Sequence, residues 1–194
     1  MPPISPMKDG ATGKTVKSAT LTPLRTLELN EVYQLITANK RLIILTQAIR
    51  EAALQGRMLK QQTLPYVTPC GVFTRRRSDC LELPSGLVVV DVDHLDSPDE
   101  ARRLKQLLFD DPYLAPVLVF VSPTGRGVKA FVPCPIGKDC TEAVRWAMNY
   151  VHCMYDAENT QPGKGVDTSG KDLVRACFLC HDPEALLRKV VDFE

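Results

Sequence analysis

Apolar residues along this chain fall into runs of three kinds. From residue 28 to 57 they recur at helical spacing, first Val32, Leu35 and Ile36, then Leu42, Leu45, Ile49 and Ala53. That period predicts two helices meeting near Asn39-Lys40, or one interrupted helix. Residues 60–73, with Leu64-Pro65 and Thr68-Pro69-Cys70-Gly71, form a turn-rich passage into a short strand. The stretch Gly86-Leu-Val-Val-Val-Asp91-Val-Asp93 is a continuous apolar strand closed by two carboxylates. Ser97-Pro98-Asp99-Glu100 carries the chemistry of a helix start, with Ser as N-cap, Pro at the first helical position and Glu placed for a capping box. That helix is predicted to reach about residue 109.

Residues 117–121 and 128–132 are apolar strands joined by the turn Ser122-Pro-Thr-Gly-Arg-Gly127, a β-hairpin pattern. Asp139 with Glu142 opens another helix, whose Val144, Ala147, Met148, Val151 and Met154 form one stripe; with Trp146 nearby, that stripe is core rather than a cofactor box. A Gly-containing loop at 162–170 leads to a last strand at 174–180 and a short helical tail. Helices and strands interleave, which predicts an α+β domain with a mixed or antiparallel sheet flanked by helices. Residues 1–25, rich in Pro, Ser, Thr, Gly and Lys and without period, are expected to be a flexible leader. Residues 26–59 make a helical N-terminal segment and 60–194 the α+β domain. Within the leader, Gly10-Ala-Thr-Gly-Lys14-Thr15 fails as a phosphate loop, because position 8 is Lys and no strand precedes it.

Composition narrows the class. The 194 residues suit one domain. With 24 Lys and Arg against 23 Asp and Glu, the net charge is +1, so any nucleic-acid surface must be local. Arg75-Arg76-Arg77 and Arg102-Arg103-x-Lys105 are the candidates, each also readable as a solvated turn or face. Seven cysteines without regular spacing point to a reducing cytoplasm rather than a disulfide framework, and no apolar run approaches the roughly 18 residues of a membrane span.

The chemistry concentrates in three segments. Side chains alternate along a strand, so Asp91 and Asp93 share a face about 7 Å apart, close enough to hold a divalent cation. A bare Asp-x-Asp also closes strands as an ordinary turn. In Ser122-Pro-Thr124-Gly125-Arg126-Gly127-Val-Lys129, glycines permit close backbone approach while Arg126 and Lys129 supply cations suited to a polyphosphate; a plain hairpin turn is the alternative. Val166-Asp167 through Asp172 to Arg175 offers further carboxylates and another arginine, or simply a polar loop.

In this order the segments resemble the archaeo-eukaryotic primase superfamily, in particular the primase-like domain at the N-terminus of virulence-associated protein E (VirE)-type proteins. The likeness runs from about residue 60 to 183, and Ser122-Pro-Thr-Gly-Arg-Gly-Val-Lys129 and Arg175-x-Cys-Phe-Leu-x-x-Asp182-Pro183 are its most specific strings. The resemblance implies a nucleotidyltransferase of replication, at home in a mobile or phage-derived element. Asp91 and Asp93 would hold Mg²⁺ or Mn²⁺ and Asp167 would complete the set, with Asp172 and Asp182 as rivals. Ser122, Thr124, Gly125, Arg126, Gly127, Lys129 and Arg175 would meet a nucleoside triphosphate. A DNA template and a helicase-like ATPase are the implied partners. The superfamily's second motif usually ends in His where this chain has Lys129, and lysine neutralises phosphate but offers no imidazole.

Three other readings compete. One is a catalytically silent nucleic-acid-binding or helicase-associated module with the same fold. A second is a haloacid-dehalogenase-like phosphatase, which also places Asp-x-Asp after an apolar strand, although here His94-Leu95 follows where Gly-Thr would be expected. The third takes Cys177-Phe-Leu-Cys180-His181 as a haem or zinc motif. Neither group is expected, because on a strand those cysteines would point to opposite faces and no second ligand pair is spaced to help. His94 and His152 are taken as a rim and a helix-face residue.

Overall fold

The computed structural model describes residues 5–7, 22–52, 55–156, 161, 163–168 and 172–188. The glycine-lysine motif at 10–15 and most of the expected leader fall outside them. Residues Ser5–Met7, inside that leader, form a short strand, β1. Three helices follow, α1 (Leu29–Ala38), α2 (Lys40–Glu51) and α3 (Gly56–Thr63). Asn39 separates the first two: it leaves the helical backbone region, and its side chain accepts hydrogen bonds from Arg41 and Leu42 N–H at 3.0 and 3.1 Å. The second half of helix α3 runs into residues expected to be turn, because only Met58 and Leu59 interrupt its polar sequence and no apolar period announces it.

Strands β2 (Tyr66–Thr68), β3 (Gly71–Phe73), β4 (Leu81–Pro84) and β5 (Leu87–Asp93) lead to α4 (Pro98–Asp110). Ser97 caps α4 by accepting from Glu100 N–H at 3.1 Å, and Glu100 reaches back one residue further than a standard box, to Asp96 N–H at 2.6 Å. The hairpin β6 (Leu118–Val121) and β7 (Val128–Pro133) forms as expected. Helix α5 (Cys140–Val151) carries the full Asp139/Glu142 capping box. Three two-residue strands close the chain: β8 (Gly165–Val166), β9 (Cys177–Phe178) and β10 (Leu186–Leu187).

Three expectations are corrected here. Met154 leaves the α5 stripe because the helix loosens into a π turn at His152–Asp156, which rotates Met154 out to solvent. The tail past residue 180 is β10 rather than a helix, since Leu186 and Leu187 pair with Val119 and Leu118 on the sheet edge. The last strand also shortens from 174–180 to Cys177–Phe178, so Cys177 and Cys180 both lie buried in one apolar cluster instead of on opposite faces.

The main sheet runs β10-β6-β7-β5-β8, antiparallel throughout, and a smaller one runs β1-β2-β9. Alternation along β5 splits the core in two. Val88, Val90 and Val92 face α4 and α5, whereas Leu87 and Val89 face Phe131, Cys177 and helices α1 and α2. The architecture is α+β, with helices on both faces of the main sheet. No helix among the described residues is long and apolar enough to cross a membrane.

The π turn is tied down by one carboxylate. Asp111 accepts from Tyr113 and Leu114 N–H at 2.8 Å each and from the hydroxyls of Tyr150 and Tyr155 at 2.9 and 2.6 Å. Burial pushes its pKa up, and these four donors more than offset that, leaving it below the usual carboxylate range. The resulting stabilisation is present above the unfolded-chain pKa of about 3.9 and is lost as pH falls through the folded value. Asp111→Ala, which strands two hydroxyls and two amides, is expected to cost about 2–3 kcal/mol in urea unfolding at pH 7, a deficit that shrinks below about pH 4.

Candidate metal centre

Strand β5 delivers Asp91 and Asp93 to the face it shares with Leu87 and Val89, where the apolar cluster ends. On one side β7 sets Lys129 directly opposite Asp91; on the other, β8 pairs Val92 with Val166 and Asp93 with Gly165. The residue after β8 is Asp167, whose N–H donates to the Asp91 carbonyl at 2.9 Å. Distant sequence thus becomes one cluster: carboxylate oxygens of Asp91, Asp93 and Asp167 lie within 4.8 Å of one another.

Two cations meet the cluster. Lys129 Nζ donates to Asp91 Oδ2, and Arg175 donates to the same oxygen at 3.3 Å and to Asp167 Oδ2. Asp91 is 8 % exposed and Lys129 4 %. Burial opposes the Lys129 charge, yet the adjacent Asp91 carboxylate dominates and raises its pKa above the ordinary lysine value. The ammonium is therefore directed at Asp91 inside the protein rather than out toward solvent.

Burial, and then the charge of Asp91, push the Asp93 pKa up, while Lys129, Lys60 and His94 pull it down. Asp91 Oδ1 is buried and has no hydrogen-bond partner among the described residues. Three carboxylates meet two directly bonded cations, and one buried acceptor is left bare, a donor set that could take up a further cation. All-oxygen carboxylate donors suit Mg²⁺ or Mn²⁺ rather than a softer ion.

The glycine turn closes over this cluster. Ser122 N–H donates to Gly127 O at 2.8 Å and Leu95 N–H to Arg126 O at 2.9 Å, tying the turn to the loop after β5. Ser122 is buried, Thr124 and Arg126 are exposed, and the Arg126 guanidinium reaches the Asp96 carbonyl. A Cβ on Gly127 would stand 2.4 Å from Val92 O, 2.9 Å from Ser122 Oγ and 3.1 Å from Asp93 Oδ1, so only glycine lets the turn approach the acids. Gly127→Ala is expected to displace Asp93 and weaken Mn²⁺ binding about tenfold or more, read by calorimetric titration; unchanged affinity would show that the turn does not support the carboxylate.

Of the rivals for third carboxylate, Asp182 is a structural anchor: it accepts from Lys105 Nζ at 3.1 Å, from Val121 N–H at 2.8 Å and from Glu184 N–H at 3.1 Å. Asp172 is exposed and does not join the cluster. His94 is exposed with φ 59°, and His152 pairs with Asp156. Burial pushes the Cys177 and Cys180 thiols up to about 12, and Cys180 Sγ donates to Val121 O at 3.1 Å.

Sequence reasoning missed the cations brought in from the helical segment. Arg50 of α2 donates to Pro123 O at 3.3 Å and braces the glycine turn, and Lys60 of α3 acts electrostatically on Asp93. A helical period marks which side of α2 is buried, but not which strand loop the other side meets, and α3 shows no such period.

A family model covers residues 58–187, from inside α3 to the end of β10 and therefore the whole cluster; its description is BT4734-like, N-terminal domain. The chain belongs to this family. The matched span holds all three carboxylates, the glycine turn, Lys129 and Arg175, and leaves α1 and α2 outside. No curated protein and no solved structure gives a match.

Proposed function

We propose that this BT4734-like domain is a primase-like nucleotidyltransferase of the archaeo-eukaryotic primase type, acting in the cytoplasm in DNA replication of a mobile or phage-derived element. Its substrates would be a nucleoside triphosphate, ribo- or deoxyribo-, and a primer or template-bound nucleotide on DNA, with a helicase-like ATPase as a working partner. The observation that carries this reading is the convergence of Asp91, Asp93 and Asp167, carboxylate oxygens within 4.8 Å of one another, beside the glycine turn and Arg175.

Asp91, Asp93 and Asp167 would hold the ions. Mg²⁺ or Mn²⁺, when bound, would supply Lewis-acid activation of the attacking 3′-hydroxyl and charge neutralisation of the departing pyrophosphate. Lys129 acts through Asp91: by engaging Oδ2 it holds the carboxylate in place and leaves Oδ1 without a protein partner among the described residues. Arg175 likewise holds the Asp167 carboxylate from the edge of the cluster, where, with Arg126 on the exposed turn, it is placed to receive phosphate oxygens. The tight turn through Ser122, Thr124, Gly125 and Gly127 lets backbone approach a triphosphate closely.

A second reading has an observation in its favour. Lys129 and Arg175 already answer much of the carboxylate charge, as they would in a silent module that keeps the fold for nucleic-acid binding alone. Incorporation of labelled nucleotide on a primed DNA template with Mn²⁺ separates the two. Turnover in wild type that disappears in a folded Asp93→Asn variant and in Asp91→Ala/Asp93→Ala supports the transferase; template binding without turnover in any of them supports the module.

A further inference from the structure

A strip of cations and aromatic rings beside the carboxylates has no part in the chemistry above. Strands β2 and β9 set Tyr66 opposite Phe178, and the rings pack edge to face with centroids 5.7 Å apart. Their strand neighbours Val67 and Cys177 point into the core, so Tyr66 and Phe178 share the other face of the small sheet. A cation lies over each ring: Lys60 Nζ is 5.5 Å from the Phe178 centroid and the Arg76 guanidinium 5.4 Å from that of Tyr66. Phe178 is only half-buried.

The strip is continuous with the cluster. Arg76 Nε donates to Val174 O at 2.9 Å, which fastens the loop carrying Arg75, Arg76 and Arg77 next to Arg175, the residue that grips Asp91 and Asp167. At the other flank the Lys60 charge acts on Asp93. Cations from three separate stretches of chain, Lys60, Arg76 and Arg175, thus connect the two rings to the carboxylates, in a protein whose net charge is only +1. Arg75 and Arg77 are exposed at the outer end, Arg77 holding Asp79 at 3.0 Å.

We infer that this strip is the track along which a single-stranded nucleic acid enters the carboxylate site, its bases stacking at Phe178 and its phosphates running over Lys60, Arg75 and Arg77. The inference rests on reading the site as one for nucleotidyl transfer. Local positive charge in register with planar side chains is the combination that binds unpaired strands without sequence preference. An acidic peptide would be drawn by the same charges but would gain nothing from ring faces.

The test is fluorescence anisotropy of a labelled 16-nucleotide oligothymidylate over a KCl series, with EDTA present so that binding is read apart from metal chemistry. Arg75→Ala/Arg77→Ala is expected to weaken binding about tenfold near 0.1 M salt and to flatten the slope of log K against log salt by about 1.4, since each lost phosphate contact is worth about 0.7. Phe178→Leu, which keeps an apolar side chain at the sheet, is expected to lose about tenfold with the slope unchanged, the mark of lost stacking. Thermal melts confirm that both variants are folded. Equal binding by wild type and both variants, preference for duplex, or equal competition by polyglutamate would overturn the track. Asp93→Asn separates this from the metal reading: it is expected to lose Mn²⁺ and keep the oligonucleotide. Wild type that turns over nucleotide yet ignores the strip variants sinks the track alone.

Discussion

Exchanging Lys129 for methionine is expected to lower the free energy of unfolding by about 3–5 kcal/mol, because it leaves the Asp91 carboxylate buried without its main counter-ion. Arg175, 3.3 Å from the same oxygen, covers part of the loss and favours the lower end of that range. The methionine fills most of the volume, so the cost is electrostatic rather than a cavity. A second substitution should show this: Asp91→Leu/Lys129→Met removes both charges, and it is expected to recover much of what the single variant loses. Lys129 has a raised pKa in the folded protein, so its contribution is complete below the unfolded-chain value of about 10.4 and is lost only as pH climbs through the folded one. The deficit should therefore be flat from pH 6 to 9. Urea unfolding of wild type, single and double variants reads all of this; a single variant within about 1 kcal/mol of wild type would mean that the pair carries no buried charge.

Asp93→Asn is the cleaner probe of chemistry. Asp91 cannot be replaced alone without stranding Lys129, whereas Asp93 makes no ion pair among the described residues and sits in surroundings that disfavour its own charge. Removing that charge is thus expected to leave the melting temperature unchanged or slightly raised while taking a ligand from the cluster. If the cluster holds the ions for nucleotidyl transfer, Mn²⁺-dependent incorporation should fall about 10³-fold, equivalent to about 4 kcal/mol of lost transition-state stabilisation. Turnover within a few-fold of wild type in a folded Asp93→Asn would remove this residue from the mechanism.

What could be foreseen from sequence was what local chemistry determines. The run from Leu87 to Asp93 is apolar enough to be a strand in any context, and alternation alone puts both acids on one face. Ser97 and Asp139 mark helix starts because capping needs only neighbours three residues away. The hairpin around Gly125 and Gly127 was visible for the same reason. Strands β8 and β10 were not, and β9 was foreseen only as part of a longer strand, since two residues carry no period and their pairing is decided by partners far along the chain. Helix α3 hid behind polar residues, and Leu186-Leu187 looks as helical as it does extended until the β6 edge is there to take it.

The site divides along the same line. Asp91, Asp93 and Asp167 could be named, but not the register that sets Lys129 against Asp91, which turns a surface-looking cation into a buried partner of that carboxylate. The same applies to Asp182, whose anchoring by Lys105 comes from α4, 77 residues away. Sequence order shows which charges exist; pairing across the sheet decides which of them meet.

Direct counting of bound Mn²⁺ by electron paramagnetic resonance, wild type against Asp93→Asn, bears on all of this at once. At least one tightly held ion per chain in wild type, absent from a folded Asp93→Asn, is the predicted result. Free Mn²⁺ signal undiminished by wild-type protein would contradict the central claim that these three carboxylates form a cation site.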